Sequence, residues 1–338
     1  MSQVPVPLSE LRQLAARALE NHNTAPANAA SVAAALALAE ADGQRGHGIS
    51  RLPAYAGQAA SGKVDGHATP SAERVAAASV RIDAGHGFAY PAIDLAIESL
   101  PSLASEAGIA VAAINRSHHF GVAGHAAERL AATGLVGLVF GNSPKAIAPW
   151  GGRNGIFGTN PIAFAAPRRT EPPLVVDLSL SKVARGKVMV AAQTGDPIPE
   201  GWALDAEGRP TTDARAALAG TMVPMGDAKG AALVLMVEVL AAALTSAHFG
   251  FEATSFFDAE GDPPGVGQLL LAIDPGPLST DRFDERLETL IGAILAQDGT
   301  RLPGARRFES RQVAERDGVQ LQESLYLQVQ TLADGAAA

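Results

Sequence analysis

Apolar residues recur at helical spacing near both ends of the chain, and they form short continuous runs through its middle. The helical spacing predicts helices over residues 9–20, 27–42, 51–62, 92–106, 123–132, 181–193 and 280–299, with two shorter helices at the C-terminal end. The short runs, bounded by Gly, Asn and Pro, predict strands over residues 80–82, 109–114, 135–140, 161–166, 174–178 and 268–273. Residues 196–213 are predicted as loop. This order predicts an α/β chain of the α+β type, with helix-rich ends around a β-rich middle.

Residues 231–244 form the longest apolar run, which only Glu238 interrupts. A bilayer span needs about 20 apolar residues, so this run is too short to cross one. We expect residues 227–247 to form a helix that is buried on most of its faces. The first residues carry neither the basic nor the apolar segment of a secretion signal, so a cytoplasmic location and no membrane partner are expected.

The 338 residues carry a net charge of −9 and include no cysteine. The negative charge and the scattered basic residues argue against a nucleic-acid partner. The lack of cysteine excludes disulfides, thiolate catalysis and metal sites built on thiolates. His118, His119 and His125 do not predict a metal site, because adjacent histidines point to opposite sides and no carboxylate stands at ligand spacing.

His47 and Arg51 stand in a short joint between two predicted helices. Thr24 and Gly43 are expected to cap the helix before the joint, and Ser50 is expected to cap the helix after it. The joint then lies at a helix N-terminus, where free N–H groups and a partial positive charge favour an anion. Because Arg51 adds a cation suited to a carboxylate and His47 adds a titratable acid, the joint predicts a site for a small carboxylic acid.

A second interpretation of the joint stays open on the residues alone. His47 would then be a capping or packing residue, and Arg51 would form a surface ion pair with Glu40 or Asp42. Lys229, at the start of a predicted helix, raises a similar choice, because a lysine there needs either an anion or solvent.

The glycine pattern of a conventional dinucleotide-binding domain is missing. Such domains carry a Gly-x-Gly-x-x-Gly turn between a strand and a helix. The pairs Gly46/Gly48 and Gly85/Gly87 lack both the third glycine and the strand–helix setting. A Rossmann domain is therefore not expected.

Nine short motifs nevertheless follow one another along nearly the whole chain. They are His47-Gly48-x-x-Arg51-x-Pro53, Asn115-x-x-His118-His119-Phe120-Gly121, Asn142-Ser143-Pro144, Pro149-Trp150-Gly151-Gly152, Gly158-Thr159-Asn160-Pro161, Val176-Asp177-Leu178-Ser179-x-Ser181, Pro199-Glu200-Gly201-Trp202, Gly226-x-x-Lys229-Gly230 and Arg301-Leu302-Pro303-Gly304. In this order they resemble the type-2 malate/L-lactate dehydrogenase family, whose members move a hydride between a nicotinamide cofactor and a small 2-oxo, 2-hydroxy or cyclic 2-imino acid. The resemblance implies a non-Rossmann cofactor domain on a mostly antiparallel sheet, and a homodimer whose active site is completed at the subunit interface.

The resemblance also assigns roles by position. It makes His47 the proton donor, Arg51 the anchor of the substrate carboxylate and Thr159 a hydroxyl that holds the substrate. The implied cofactor contacts are His119, Phe120, Gly121, Asp177, Leu178, Ser179, Ser181, Ala228, Lys229, Arg301, Pro303, Gly304, Arg306 and Arg307. Arg306 and Arg307 could meet a 2′-phosphate, which would favour NADPH as the cofactor, and NADH stays possible. The chain is expected to divide into a helix-rich substrate and dimerisation region, residues 1–115 plus 275–338, and a cofactor domain, residues 116–274.

One position departs from the family pattern. Most members carry serine directly before the histidine, where this chain has Gly46, and the aspartate that supports the histidine in some imine-reducing members aligns near Thr194, two residues before Asp196. A cyclic imine can arrive already protonated, so it needs less help from the histidine. We therefore expect an NAD(P)H-dependent reductase of Δ1-pyrroline-2-carboxylate and Δ1-piperideine-2-carboxylate, which gives L-proline and L-pipecolate. The alternative is an NAD(P)-dependent dehydrogenase of malate, L-lactate or sulfolactate, and a non-catalytic nucleotide-binding relative is a third hypothesis.

Overall fold

The computed structural model describes residues 2–335, and a seven-stranded sheet runs through its middle. The strands are β1 (Gln3–Val6), β2 (Ser71–Ala76), β3 (Ser79–Asp83), β4 (Ile109–Ser117), β5 (Val136–Gly141), β6 (Ile162–Ala166), β7 (Leu174–Leu178), β8 (Ala203–Leu204), β9 (Pro210–Thr211), β10 (Thr221–Met222), β11 (Val266–Ile273) and β12 (Val319–Gln322). The helices are α1 (Leu8–Glu20), α2 (Pro26–Ala41), α3 (Leu52–Ser61), α4 (Ala89–Ala107), α5 (Ala123–Ala132), α6 (Arg185–Thr194), α7 (Ala214–Ala219), α8 (Asp227–Glu238), α9 (Pro275–Ser279), α10 (Phe283–Leu295), α11 (Ala305–Asp317) and α12 (Glu323–Ala333).

The large sheet has the strand order β2-β3-β4-β11-β5-β6-β7. Its neighbouring strands are antiparallel except for β3 and β4, which run parallel. A Rossmann sheet is parallel, so this topology explains why the glycine fingerprint is missing. The expected α/β architecture on a mostly antiparallel sheet is confirmed.

The central strands are covered on both faces, which is why they appear in the sequence as continuous apolar runs. On β11, Leu270 packs into the core beneath α4 and α5, together with Leu100 and Leu130. Its neighbour Leu269 points to the opposite face and packs with Val234 of α8. The sheet thus separates two apolar cores.

The two ends of the chain form a third core. Helix α1 packs against α2 and α12, and β1 pairs with β12 in an antiparallel ribbon. The apolar face that the periodicity predicts for α1 is buried, and it consists of Leu11, Leu14, Ala15, Ala18 and Leu19. The helix-rich part therefore draws on both ends of the chain.

The proposed division at residue 115 stays a prediction. Strand β4 runs through this residue, and β2 and β3 from the N-terminal region join the same large sheet. The sheet therefore continues across the proposed boundary.

One capping prediction and one predicted helix start in these helical regions are wrong. Ala25, not Thr24, precedes α2, and the Thr24 hydroxyl is buried without a hydrogen-bond partner among the described residues. Helix α10 begins at Phe283 instead of near residue 280, because Thr280 and Asp281 adopt positive φ angles of 50° and 60°. Left-handed residues break a right-handed helix, so they separate the short α9 from α10.

The prediction that residues 227–247 are buried on most faces is also wrong. Helix α8 continues into a π-helical turn, Val239–Ala243, and only one side of this segment packs against the sheet. The other side exposes large apolar side chains, namely Leu235, Met236, Val239 and Leu244. Within residues 2–335, no helix combines the length and apolar character that crossing a membrane requires.

Short or exposed strands escaped the sequence pattern. The predicted loop over residues 196–213 contains β8 and β9, which pair with each other, and β10 pairs with β8 in the same small sheet. Strand β2 is exposed along its whole length, so it carries no apolar alternation to detect.

Candidate active site

The joint before α3 is built from two single 3₁₀ turns, Arg45–His47 and Ile49–Arg51. The Ser50 cap is wrong: α3 begins at Leu52, and the Ser50 hydroxyl donates to the Arg45 carbonyl at 2.6 Å. The buried Glu40 carboxylate organises the joint instead, by accepting the Ile49 N–H at 3.1 Å. A side chain at Gly48 would run into this carboxylate, so the turn requires glycine.

Arg51 is fixed as a cation with an unused donor. Its Nε donates to the Gly46 carbonyl at 2.8 Å, and its guanidinium lies 4.4 Å from the centre of the Phe257 ring. Its Nη1 is buried and has no hydrogen-bond partner among the described residues. A buried guanidinium nitrogen without an acceptor is costly until an anion arrives, so Nη1 suits a substrate carboxylate.

The alternative ion pairs for Arg51 are excluded, because both candidate carboxylates have other partners. Glu40 lies 3.8 Å from Arg45, and Asp42 accepts hydrogen bonds from Arg311 and His125. Arg51 is therefore not part of a surface ion pair with either of them.

His47 stands at the open end of a chain of polar rings. Its Nδ1 lies 3.3 Å from Nε2 of His119, and the two rings stack with their centres 5.3 Å apart. Nδ1 of His119 lies 2.5 Å from the Tyr55 hydroxyl, which lies 3.3 Å from the Tyr90 hydroxyl. Nε2 of His47 is the ring nitrogen that this chain leaves for a substrate.

The titration of this chain follows from its burial. Burial, then the charges of Arg51 and His125, lower the pKa of His47 to about 4. Burial also lowers the pKa of His119 well below its usual range. Burial raises the pKa of Tyr90 to about 12 and moves that of Tyr55 well above its usual value. The four groups are thus neutral near pH 7 without a bound anion.

A protonated His47 would fit this chain without rearrangement of its partners. His47 Nδ1 would donate to Nε2 of His119, Nδ1 of His119 to Tyr55, and Tyr55 to Tyr90. The second proton of His47 then remains on Nε2. His119 therefore offers an acceptor to His47 Nδ1, which Gly46, without a side chain, does not.

An apolar loop covers this region. Phe256 packs against the rings of His118 and His119 at 5.3 and 5.1 Å, next to Phe257 above Arg51. His118 itself is buried, its ring nitrogens find no partner among the described residues, and burial lowers its pKa to about 3. It is therefore a neutral packing ring of the site.

A buried lysine fastens the apolar loop to the end of α3. Lys63 Nζ donates to the Ser255 carbonyl at 2.9 Å and to the Asp258 carboxylate at 2.9 Å. Gln58 adds a hydrogen bond to the Asp258 carbonyl at 2.8 Å. Tyr55, Lys63 and the phenylalanines were missed in the sequence, because no motif marks residues that meet from such distant positions.

Thr159 lies in a tight turn before β6. Its N–H donates to the Ser143 hydroxyl at 3.1 Å, and its carbonyl accepts the Leu180 N–H at 2.8 Å. The next residue, Asn160, has a φ of 38° and is fully buried. The turn therefore holds Thr159 between the loop after β5 and the segment after β7.

The predicted cofactor residues gather from four segments. The Gly124 N–H donates to Asp177 at 2.9 Å, and the Met225 N–H donates to the Leu180 carbonyl at 2.8 Å. Gly304, with a φ of 78°, packs so closely on β7 that a Cβ would lie 2.9 Å from the Val175 carbonyl. The segments around residues 119–124, 175–181, 225–229 and 304 thus adjoin one another.

This edge carries donors that suit an anionic ligand. The hydroxyls of Ser179 and Ser181 lie 2.8 Å apart, and no side chain caps the first N–H groups of α8. The exposed members of the predicted set are Leu178, Ala228, Lys229, Arg301, Pro303 and Arg306, and the buried ones are His119, Phe120, Ser181 and Arg307. Ser181 donates its hydroxyl proton to the Val183 carbonyl at 2.7 Å, so the donors that remain for an anion are the first N–H groups of α8 and the lysine at its start.

Arg307 is engaged elsewhere. Its guanidinium is buried and pairs with Glu128 at 2.6 Å and with Asp42 at 3.3 Å. Arg311 joins the same two carboxylates at 2.5 and 2.8 Å. Arg306 is exposed, so of the adjacent pair it is the arginine that can meet a 2′-phosphate.

Neither a metal cluster nor a transmembrane helix is found among the described residues. The His118, His119 and His125 side chains do not converge, since His125 donates toward Asp42 at 2.9 Å while His119 faces His47. The groups that the described residues bring together are the Arg51 guanidinium, the chain of His47, His119 and the two tyrosines, and the uncapped start of α8.

Comparison with known proteins agrees with this arrangement. The model of the family described as malate/L-lactate dehydrogenase matches residues 6–330. The chain is 56% identical over 306 residues to the NADP(+)-dependent (2R)-3-sulfolactate dehydrogenase of Chromohalobacter salexigens, covering 90% of this chain and 91% of that one. It is 45% identical over 325 residues to the Δ1-pyrroline-2-carboxylate/Δ1-piperideine-2-carboxylate reductase of Pseudomonas putida, covering 95% and 94%.

The fold matches an experimental structure as well. The crystal structure of Δ1-piperideine-2-carboxylate reductase from Pseudomonas syringae pathovar tomato superposes with a TM-score of 0.92 at 41% identity, covering 97% of this chain and 99% of that one.

Proposed function

Because the chain belongs to the malate/L-lactate dehydrogenase family, we propose that it is an NADP-dependent dehydrogenase that interconverts (2R)-3-sulfolactate and sulfopyruvate. The observation that carries this proposal is the 56% identity to a sulfolactate dehydrogenase, against 45% to an imino-acid reductase. The similarity thus favours the hydroxy-acid alternative over the imino-acid substrate expected from Gly46. NAD(P)-dependent oxidoreduction is common to both.

Arg51 anchors the substrate in this proposal. Its unpaired Nη1 donates to one oxygen of the substrate carboxylate, and the Phe257 ring lies 4.4 Å from the guanidinium. An arginine presents a flat fork of donors, so it fixes the orientation of the carboxylate and with it the face of C2. The Thr159 hydroxyl forms a hydrogen bond with the same substrate.

His47 supplies the proton to the oxygen at C2. The charge of Arg51 is one reason why the pKa of His47 is lowered to about 4. A substrate carboxylate neutralises that charge. Substrate binding therefore raises the pKa of His47 and favours the protonated form of its ring. His119 accepts the hydrogen bond from Nδ1 throughout, and Nε2 transfers its proton to the substrate oxygen.

The cofactor residues support NADP. When bound, the nicotinamide supplies the hydride for reduction at C2. Lys229 and the uncapped N–H groups at the start of α8 offer donors for its phosphates. Arg306 supplies the exposed cation that a 2′-phosphate needs, and the sulfolactate dehydrogenase relative uses NADP(+).

Reduction of cyclic imino acids is a second candidate function. The apolar wall formed by Phe256 and Phe257 suits a ring without a second charge, and the 45% identical relative reduces such substrates. Gly46 supports it as well, because a protonated imine needs less assistance from His47.

A substrate panel separates the two candidates. NADPH and NADH oxidation is followed at 340 nm (the absorbance of the reduced nicotinamide) with sulfopyruvate, oxaloacetate, pyruvate and both cyclic imines. The proposal requires the highest kcat/KM for sulfopyruvate with NADPH. A higher kcat/KM for either imine would transfer the assignment to the second candidate, and binding of NADPH without turnover of any acid would favour the non-catalytic relative.

A homodimer through α8 belongs to the same proposal. The exposed apolar side of α8 and its π-helical turn needs a partner surface, and 60% of Leu244 is exposed. Leu244→Asp should produce a monomer with reduced activity, measured by sedimentation velocity and assay. Leu278→Asp, at an exposed position of α9, is the matched control and should leave the dimer intact. A Leu244→Asp protein that stays dimeric would contradict this surface.

A further inference from the structure

Glu238 is a buried carboxylate without a cation among its described partners. Its Oε2 accepts a hydrogen bond from the Asn160 side chain at 2.6 Å. Its Oε1 accepts the Gly250 N–H at 2.7 Å and the Asn142 side chain at 3.2 Å. Burial raises the pKa of Glu238, although these hydrogen bonds oppose the shift. Such a group is costly to bury, so its retention calls for a specific role.

The donors to Glu238 come from different loops. Asn142 follows β5, Asn160 precedes β6, and Gly250 lies in the segment between α8 and β11. Asn142 also donates to the His248 carbonyl at 2.7 Å and accepts the Gly267 N–H at 2.9 Å. One side chain on α8 therefore fastens the loops that meet behind Thr159.

These loops pack tightly against one another. A Cβ on Gly250 would lie 2.9 Å from the Gly158 nitrogen and 2.9 Å from the Ser143 carbonyl oxygen. The Ser143 hydroxyl in turn accepts the Thr159 N–H at 3.1 Å. A shift of any of these loops therefore moves Thr159.

Only a carboxylate satisfies all the donors at position 238. Glutamine has one acceptor oxygen, and its amide would face either Asn160 or the Gly250 N–H. Rotating the Asn160 amide does not relieve this conflict, because its Nδ2 also donates to the Val234 carbonyl at 3.1 Å. The Glu238 carboxylate therefore fixes the arrangement of the turn at Asn160 through its two acceptor oxygens, and a side chain of the same size would not replace it.

We propose that Glu238 is a positioning residue that holds Thr159 in the orientation required by the substrate. This inference rests on the proposed role of Thr159 in the substrate site. Glu238 touches neither substrate nor cofactor in this assignment. It acts by fixing the Asn142, Asn160 and Gly250 segments around the turn.

The test is a double-mutant cycle on Glu238→Gln and Thr159→Ala. We measure KM for the acid that the panel identifies, the Kd of oxamate as an unreactive analogue of a 2-oxo acid, and the Kd of NADPH. Each single variant should weaken acid binding about tenfold, the equivalent of one lost hydrogen bond, and leave the Kd of NADPH within twofold. The double variant should bind the acid no more weakly than Thr159→Ala alone.

Val237→Ala is the matched control, because Val237 is buried on the same helix but packs into the core beneath the sheet. Val237→Ala should lower Tm without changing acid binding. If Glu238 were merely structural, Glu238→Gln would give this same result. Glu238→Asp keeps the charge and tests the same turn if Glu238→Gln does not fold; it should weaken acid binding severalfold.

Additive effects of Glu238→Gln and Thr159→Ala, or normal acid binding in both Glu238 variants, would overturn the inference. Normal acid binding in Thr159→Ala would also overturn it, because it removes Thr159 from the substrate site, whereas failure of the proposed function itself is seen separately in the substrate panel. Oxamate binding keeps the cycle measurable even where turnover is low.

Discussion

Nδ1 of His47 lies 3.3 Å from Nε2 of His119, and this contact supplies the support that the residue before His47 does not give. Gly46 has no side chain, yet His47 is oriented by a ring that Tyr55 holds in turn at 2.5 Å. The family pattern assigns the segment of His119 to cofactor binding. In this protein its ring also faces the proposed proton donor.

The first prediction concerns the end of the histidine chain. Tyr55→Phe removes the hydroxyl that fixes His119, so His47 loses its orientation and kcat for an oxo acid should fall about tenfold with a small change in KM. Tyr90→Phe is the control one step further along the chain and should have a smaller effect. Equal losses in the two variants, measured by steady-state kinetics, would show that the chain does not act through His119.

The second prediction compares the two substrate classes in His47→Ala. General acid catalysis by a positioned histidine contributes about 10²–10⁴ in rate, so reduction of an oxo acid should fall by that order. A cyclic imine that arrives protonated should lose much less. The measurement is kcat for sulfopyruvate and for Δ1-piperideine-2-carboxylate in both proteins, and an equal loss on both would contradict the protonation argument.

The third prediction is the pH dependence of the reaction. Reduction needs a protonated His47, whose pKa is lowered to about 4 in the absence of substrate. The kcat/KM for reduction should therefore fall as pH rises above about 4, while that for oxidation, which needs the neutral ring, should rise. The kcat profile should have a higher midpoint, because the bound carboxylate neutralises Arg51. A kcat midpoint at or below that of kcat/KM would exclude this coupling.

The fourth prediction is that Arg51→Met separates binding from titration. Loss of the carboxylate anchor should raise KM for the acid by about 10²-fold, as expected for a hydrogen bond to a charged group. Loss of the neighbouring charge should at the same time raise the pKa of His47 in the free protein, which NMR titration of the ring can follow. An unchanged KM would remove Arg51 from the substrate site.

The fifth prediction concerns the buried ion cluster that joins α11 to α2 and α5. Arg311→Met removes one of the cations that pair with the buried Asp42 carboxylate. The free energy of unfolding should therefore fall by about 3 kcal/mol at pH 7. Burial raises the pKa of Asp42, but hydrogen bonds from His125 and Arg311 outweigh it and lower the pKa overall. A carboxyl with a lowered pKa stabilises the fold above its unfolded value of 3.8, and that contribution disappears as pH falls through the folded value.

The difference between Arg311→Met and the parent protein should therefore shrink below about pH 4. Urea denaturation at several pH values checks it. Arg316→Met is the matched control. Arg316 lies on the same helix and, among the described residues, pairs with the exposed Asp317, so its replacement should change stability little. A difference that is constant from pH 3 to pH 7 would contradict the assignment to Asp42.

The sequence by itself determined the local structure of this protein and the order of its motifs. The helical face of α1 and the apolar runs of β4, β5 and β11 follow from periods of 3.6 and two residues, which neighbouring positions encode. The missing glycine fingerprint correctly excluded a Rossmann sheet. His47 and Arg51 were placed at one joint because they are only four residues apart.

Only the tertiary structure decided which distant residues meet. His119 reaches His47 across 72 positions, and Lys63 holds Asp258 across 195, so neither contact leaves a local pattern in the chain. The exposed side of α8 was predicted wrongly for a related reason, because an apolar helix has the same composition whether a core covers it or not. Packing is a property of three-dimensional neighbours, and those neighbours are set by the fold as a whole.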